Sequence, residues 1–169
     1  MGALLVQFPP SFVADSFGKQ ILRAITNAFG EYRLAVELRH KSWSDDPAIA
    51  DLLRDANACW VQIDEPKFDF SVALEVPVTS DISYFRFHGR NAEMWWKGDV
   101  ETRYKYLYSP LEIHGLAEKV KASSSTSKTT FAFFNNHWQG FAPRNAADLK
   151  NALQIPFIDF QTPLFSNGG

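Results

Sequence analysis

In the stretch "LAVELRH", residues 34–40, Glu37 and Arg39 stand two residues apart. Successive strand side chains point to opposite faces, so these two share a face, roughly 7 Å apart. A carboxylate there can ligate a divalent cation or take a proton. A guanidinium can fork onto a phosphate or a carboxylate. In "YFRFHGR", residues 84–90, Tyr84, Arg86 and His88 alternate with Phe85 and Phe87. Asp64 closes "ACWVQID", and Gln7 and Asn135 stand near the ends of "ALLVQF" and "TTFAFFNN". Glu37, Asp64 and His88 are the candidate catalytic groups, as base, general acid or metal ligand. Gln7, Arg39, Arg86, Arg90, Asn135, Asn136 and His137 are the candidate substrate-binding groups. Gly89 and Gly140 beside them permit close backbone approach. A divalent metal is the one cofactor these residue types suggest, and its identity stays open. The sequence has no P-loop, dinucleotide fingerprint or cysteine–histidine zinc spacing.

Each of these residues also has a plainer use. Glu37, Arg39, Asp64 and Arg86 could neutralise one another, since buried charge must be paired. Asp64 could cap a turn, and the asparagines could serve their loops. Trp43, Trp95 and Trp96 either line a rim or cover the core. Cys59 reads as a small buried hydrophobe, and His114 as a surface residue on a helix.

Positioning these groups requires strands that end at one place. Period-two or continuous apolar runs predict strands at 3–8, 33–40, 58–64, 82–89 and 129–136. Helical spacing links Phe17, Ile21, Leu22, Ile25 and Phe29, with Gly30 as a stop. A second helix carries Ile49, Leu52, Leu53 and Ala56, with Asp46 as its N-cap and Pro47 in its first turn. Ser109, Pro110 and Glu112 form a capping-box pattern before Ile113, Leu116, Ala117 and Val120. "KASSSTSK", 121–128, reads as a polar loop, and Ala146, Leu149, Lys150 and Leu153 share a face of a last helix. The stretches 65–81 and 91–108 show no clear period.

Strands alternating with helices predict a parallel sheet with helices outside it. Sheets covered on both faces read as continuous apolar runs, and these do not. One face carries Leu34, Val36 and Leu38, then Val61 and Ile63, then Phe85 and Phe87. The other carries Ala35, Glu37 and Arg39, then Trp60, Gln62 and Asp64, then Tyr84, Arg86 and His88. That second face turns polar toward each strand's C-terminal end. This is the pattern of a (β/α) barrel with a site at its C-terminal mouth. The expected fold is α/β: a partial TIM-like barrel of five parallel strands with helices on the outer face.

The chain has 169 residues, 46% hydrophobic and 15% aromatic, enough for one globular domain. Residues 1–160 are expected to form that domain and 161–169 a loose tail. Lys and Arg number 17 against 19 Asp and Glu, which excludes a broadly basic nucleic-acid coat but not a local basic site. A single cysteine excludes an intrachain disulfide. No apolar run approaches the roughly 20 residues of a membrane span, and the opening residues are not expected to act as a signal peptide. A cytoplasmic location without membrane contact is expected.

Taken in order, "LLVQFPPSF", "LAVELRHKSW", "FRFHGR", "YKYLYSP" and "FAFFNNHWQGFAPRNA" resemble the YecE-like family, also known as domain of unknown function 72. The resemblance runs from Leu4 to about Leu153. It implies a TIM-like barrel and names no reaction. It also implies that this chain begins at the family's fourth strand and holds strands four to eight, with Met1 an internal residue promoted to a start. The expected partners are therefore the missing N-terminal barrel half, or another copy through open sheet edges.

The functional expectation is a hydrolase-type site for a phosphate-bearing substrate, a small molecule or nucleic acid, with metal assistance at Glu37, Asp64 and His88. Two alternatives stand beside it: a non-catalytic binding module or inactive truncated remnant, and a glycoside hydrolase using Glu37 and Asp64 as its two carboxylates.

Overall fold

The computed structural model describes residues 2–156. The expected tail, 161–169, lies outside the described residues. Strand β1 (Leu4–Gln7) is followed by helix α1 (Ser16–Ala28), and β2 (Leu34–Glu37) by α2 (Lys41–Ser44) and α3 (Ala48–Asp55). Then come β3 (Cys59–Trp60), β4 (Gln62–Asp64) and β5 (Ile82–Phe87). The chain continues through α4 (Val100–Arg103), α5 (Pro110–Ser124), β6 (Thr129–Phe134), a 3-10 turn (Trp138–Gly140) and α6 (Phe141–Ala152).

The architecture is mixed α/β, with two three-stranded parallel sheets in the orders β1-β2-β3 and β4-β5-β6. The sequence predicts five strands in one sheet. The expected strand at 58–64 is instead broken at Val61, whose N–H donates 2.9 Å to the carbonyl of Val36. Its first half pairs with β2 and its second half with β5. The described residues do not close a barrel.

Local chemistry explains the helix boundaries. Asp15 caps α1 by accepting from Gly18 N at 2.7 Å. Phe29 is its C-cap, one residue before the expected stop at Gly30. At α3 the expected cap shifts by one: Pro47 holds the N-cap position, while Asp46 Oδ1 accepts from Ala48 N at 3.0 Å. The full capping box of Ser109 and Glu112 opens α5. That helix runs on to Ser124, so half of the expected polar loop at 121–128 is helical. Ser124 and Ser125 return their hydroxyls to the carbonyls of Lys121 and Ala122, which lets serine persist there.

Two apolar clusters hold the sheets. The first gathers Leu22, Leu34, Val36, Leu38, Trp43, Ile49 and Leu53 around β2. The second packs Phe85, Phe87 and Tyr108 against Ile113, Leu116 and Val120 of α5 and Leu149 of α6. Trp43 is fully buried, its Nε1 donating 2.7 Å to the carbonyl of Phe12, so it belongs to the core and not to a rim. Cys59 is also buried, and desolvation pushes its thiol up to about 12. His114 is exposed, as expected. No helix among the described residues is long and apolar enough to cross a membrane.

Candidate functional site

Register decides which side chains meet. Leu4 to Gln7 of β1 pair with Leu34 to Glu37 of β2, which sets Gln7 beside Glu37. In β5, Phe85 and Phe87 enter the cluster beneath α5, so Arg86 points to the opposite face. There Arg86 Nη1 donates at 2.5 Å both to Gln7 Oε1 and to Glu37 Oε2. Glu37 has no exposed surface, and its other oxygen accepts from Arg39 Nε at 2.7 Å and Nη2 at 2.6 Å. Both oxygens of Glu37 are therefore committed to guanidinium groups. Of the four groups read as able to neutralise one another, Glu37, Arg39 and Arg86 do so, and Asp64 pairs with Arg90 instead.

His88 closes the cluster. Its Nε2 lies 3.3 Å from Arg39 Nη2 and 3.8 Å from Glu37 Oε1. Its Nδ1 lies 3.3 Å from the Asn135 side-chain amide. Arg39 can only donate, so Nε2 must accept and Nδ1 carries the hydrogen. The amide of Asn135 then satisfies the pair with its oxygen turned to Nδ1, an orientation fixed by the hydrogen-bond network. Burial, reinforced by Arg39 and then Arg86, holds the His88 pKa well below the ordinary histidine value. The imidazole is neutral at physiological pH. Trp95 and Tyr104 cover it, with ring centroids 6.4 and 6.1 Å away. Both come from the stretch 91–108, whose lack of period in the sequence conceals this covering role. Trp96, by contrast, is 54% exposed beside Phe68 and Phe70.

Asp64 is not part of this cluster. Gln62, Ile63 and Asp64 pair with Phe85, Arg86 and Phe87, so Asp64 shares the helix-covered face with Phe87. Upstream, Ala35 pairs with Cys59 and Val36 with Trp60. Cys59, Val61 and Ile63 therefore share the face of Glu37 and Arg86, and Trp60, Gln62 and Asp64 the other. The faces expected for this strand are exchanged, a slip of one residue. On the helix-covered side Gln62 finds polar partners in the segment that follows it. Gln62 bonds both the N–H and the carbonyl of Val76, and Trp60 N–H reaches Thr79 Oγ1 at 2.9 Å.

Asp64 is instead a structural hub. Arg90 grips it in a fork, with Nε 2.9 Å from Oδ1 and Nη2 2.7 Å from Oδ2. The Tyr108 hydroxyl donates 2.7 Å to Oδ1 and accepts 2.9 Å from Gly89 N–H. Arg90 continues to Glu112 at 3.1 Å. Gly89 has φ +89°, and a Cβ there would lie 2.6 Å from Tyr106 Cβ, so only glycine makes this turn after His88. Glu37 and Asp64 thus lie on opposite faces of the sheet and do not flank one cleft. Asn136 is also structural here. Its Nδ2 donates 2.8 Å to the Tyr106 carbonyl and 2.8 Å to Asn145 Oδ1. His137 is exposed at the rim, its ring 5.1 Å from Tyr104.

The carboxylate that joins the cluster is Glu65, one residue further on. It is buried, and its Oε2 lies 3.4 Å from Arg39 Nη1. Burial lifts its pKa above the ordinary carboxylate value, with Arg39 and Lys67 opposing. Sequence alternation could have found Glu65 only with the correct register. Gln7, Glu37, Arg39, Arg86, His88 and Asn135 converge; Asp64, Arg90 and Asn136 do not. Among the described residues no group of three or more His, Cys, Asp or Glu side chains is arranged to hold a metal ion.

Three comparisons bear on kinship. The profile of the family described as "Protein of unknown function DUF72" matches residues 1–165. The UPF0759 protein YunF of Bacillus subtilis (strain 168) is 29% identical over 167 residues, covering 93% of this chain and 59% of its own length. The solved structure of a DUF72 family protein from Thermotoga maritima, TM1631, superposes with a TM-score of 0.83 at 39% identity, covering 89% of this chain and 56% of that one. EF0366 of Enterococcus faecalis, also a DUF72 family protein, gives a TM-score of 0.83 at 32% identity, covering 92% and 60%. The chain therefore spans less than two thirds of the length of each of these relatives.

Proposed function

The chain belongs to the DUF72 family of proteins of unknown function, and we propose that its two parallel sheets are one arc of a TIM-like barrel whose C-terminal mouth binds a phosphate-bearing substrate. The observation that carries this reading is Arg86. Only its Nη1 is engaged, by Gln7 and Glu37, and among the described residues nothing pairs with its Nε or Nη2. A guanidinium with two free donors on one side is a fork for an oxyanion. Glu37 acts from behind, aiming Arg86 and Arg39. Neutral His88 adds no repulsion to a second donor and no charge of its own. Turnover of the bound substrate, in a hydrolase-type reaction, needs a proton-transfer group. Glu65, with its raised pKa, fits that role better than Asp64, whose oxygens are already taken. The single buried Cys59 is in keeping with a cytoplasmic location.

Titration calorimetry with inorganic phosphate and with a simple phosphomonoester tests the reading. Saturable binding is expected, weakened about tenfold or more in Arg86→Met, the worth of one charge-assisted hydrogen bond. Arg86→Lys should recover only part of it, because an ammonium cannot fork. Equal affinity in Arg86→Met, with the fold intact by circular dichroism, would refute the assignment.

A further inference from the structure

The two segments without a sequence period, 65–81 and 91–108, meet beside the Arg86 cluster in a group of aromatic rings. Trp95 is buried against His88, while Trp96, the next residue, is 54% exposed. The Trp96 ring stands 5.7 Å from Phe68 and 5.9 Å from Phe70, inclined 53° and 55° to them. Those two half-buried rings lie 5.6 Å apart and within 11° of parallel, and His40 continues the row at 6.4 Å and 12°. The row is fixed to the chain just past Arg39. Val72 N–H donates 2.8 Å to the Arg39 carbonyl, and Lys41 N–H donates 2.7 Å to the Phe70 carbonyl. A large indole face is thus held in water by rigid neighbours. In the same connection Glu65 Oε2, buried and ion-paired with Arg39, receives no hydrogen bond.

We propose that this aromatic wedge is a stacking subsite for a nucleobase, so that the ligand of the Arg86 site is a nucleoside monophosphate. The base lies against Trp96 and Phe70, and the phosphate reaches Arg86. Aromatic faces beside a cationic site stack on bases of any sequence, because every base has a π face. Phe68, Phe70 and Trp96 offer those faces with a single polar atom among them, the indole N–H. They therefore suit a base better than a bare sugar, whose hydroxyls need partners around the whole ring. Glu65 Oε2 supplies an acceptor for a ribose hydroxyl or a base amino group, which would end its isolation. The inference deepens the phosphate reading and rests on it for the phosphate end alone; the ring subsite stands on the aromatic geometry.

The test is titration calorimetry of the 169-residue chain with adenosine monophosphate, with ribose phosphate lacking the base, and with adenosine lacking the phosphate. Adenosine monophosphate should bind about fivefold or more tightly than ribose phosphate, the worth of one stacked base. Trp96→Ala should remove that advantage and weaken adenosine by the same factor, while ribose phosphate binds as before. Trp96→Phe should keep most of it. Leu111→Ala, at an 81% exposed apolar position on α5, should change none of the three. Arg86→Met should weaken both phosphates and spare adenosine. If it weakens neither while adenosine still depends on Trp96, the phosphate reading falls and the ring subsite stands. Two results would overturn the subsite. One is equal affinity for adenosine monophosphate and ribose phosphate. The other is a base advantage that survives Trp96→Ala with the fold intact by circular dichroism.

Discussion

At the scale of single residues, the cluster separates groups that titrate from groups that only aim. His88 faces Arg39, Arg86 and Glu37 from the sheet, and Tyr104 and Trp95 from the covering segment. Its folded pKa lies below the unfolded value of about 6.5. As pH falls, the unfolded chain takes up a proton first, so stability is full above about pH 6.5 and declines below it. The slope contributed is at most about 1.4 kcal/mol per pH unit. The carboxylates held low, Asp46 and Glu112 among them, act only below about pH 4.5. Urea titrations between pH 7 and 4.5 should therefore show an acid-sensitive limb that His88→Gln removes. The same limb in the variant would mean that His88 is not the responsible group. Glu65 has the opposite sign: its raised pKa makes the fold lose stability as pH rises through the carboxylate range.

At the scale of elements, alternation in "LAVELRH" and "YFRFHGR" was sufficient to place Glu37, Arg39, Arg86 and His88 on one face. Burying one set of strand residues beneath helices leaves the other set no choice. The same rule failed at "ACWVQID", because polarity alone does not say which side is covered. Gln62 is polar yet faces the helix side, where it pairs with the N–H and the carbonyl of Val76. The joint made by Asn145 had no signal at all. It is fully buried, and it accepts from Tyr108 N–H at 3.1 Å and donates to the Tyr108 carbonyl at 3.2 Å. Asn136 also donates to it, so one side chain ties α6, the end of β6 and the approach to α5 together. Asn145→Ala would leave several buried polar groups without partners, at a cost of about 2–3 kcal/mol. Chemical denaturation should show a lower midpoint with an unchanged m-value; a shift of less than about 0.5 kcal/mol, within the range of ordinary surface substitutions, would contradict that role.

At the scale of the whole molecule, the two sheets are joined through a strand that is interrupted at Val61 and pairs to different sides before and after it. The apolar clusters divide further along, inside β5, so that Ile63, Ile82 and Tyr84 still belong with the first. Every buried member of the first lies at or before Tyr84, and every one of the second at or after Phe85. Such units open as separate cooperative blocks, so native-state hydrogen exchange should yield two protection classes, one for β1–β3 and one for α5, β6 and α6, with β5 shared between them. A single class spanning both would contradict the division. The same division gives the chain a timetable during synthesis. Once Tyr84 has cleared the ribosome, the first core has all of its buried members and can close while Phe85 and the rest are still to emerge. The nascent chain then waits with β1 to β3 in place as a template on which each later strand is laid in order.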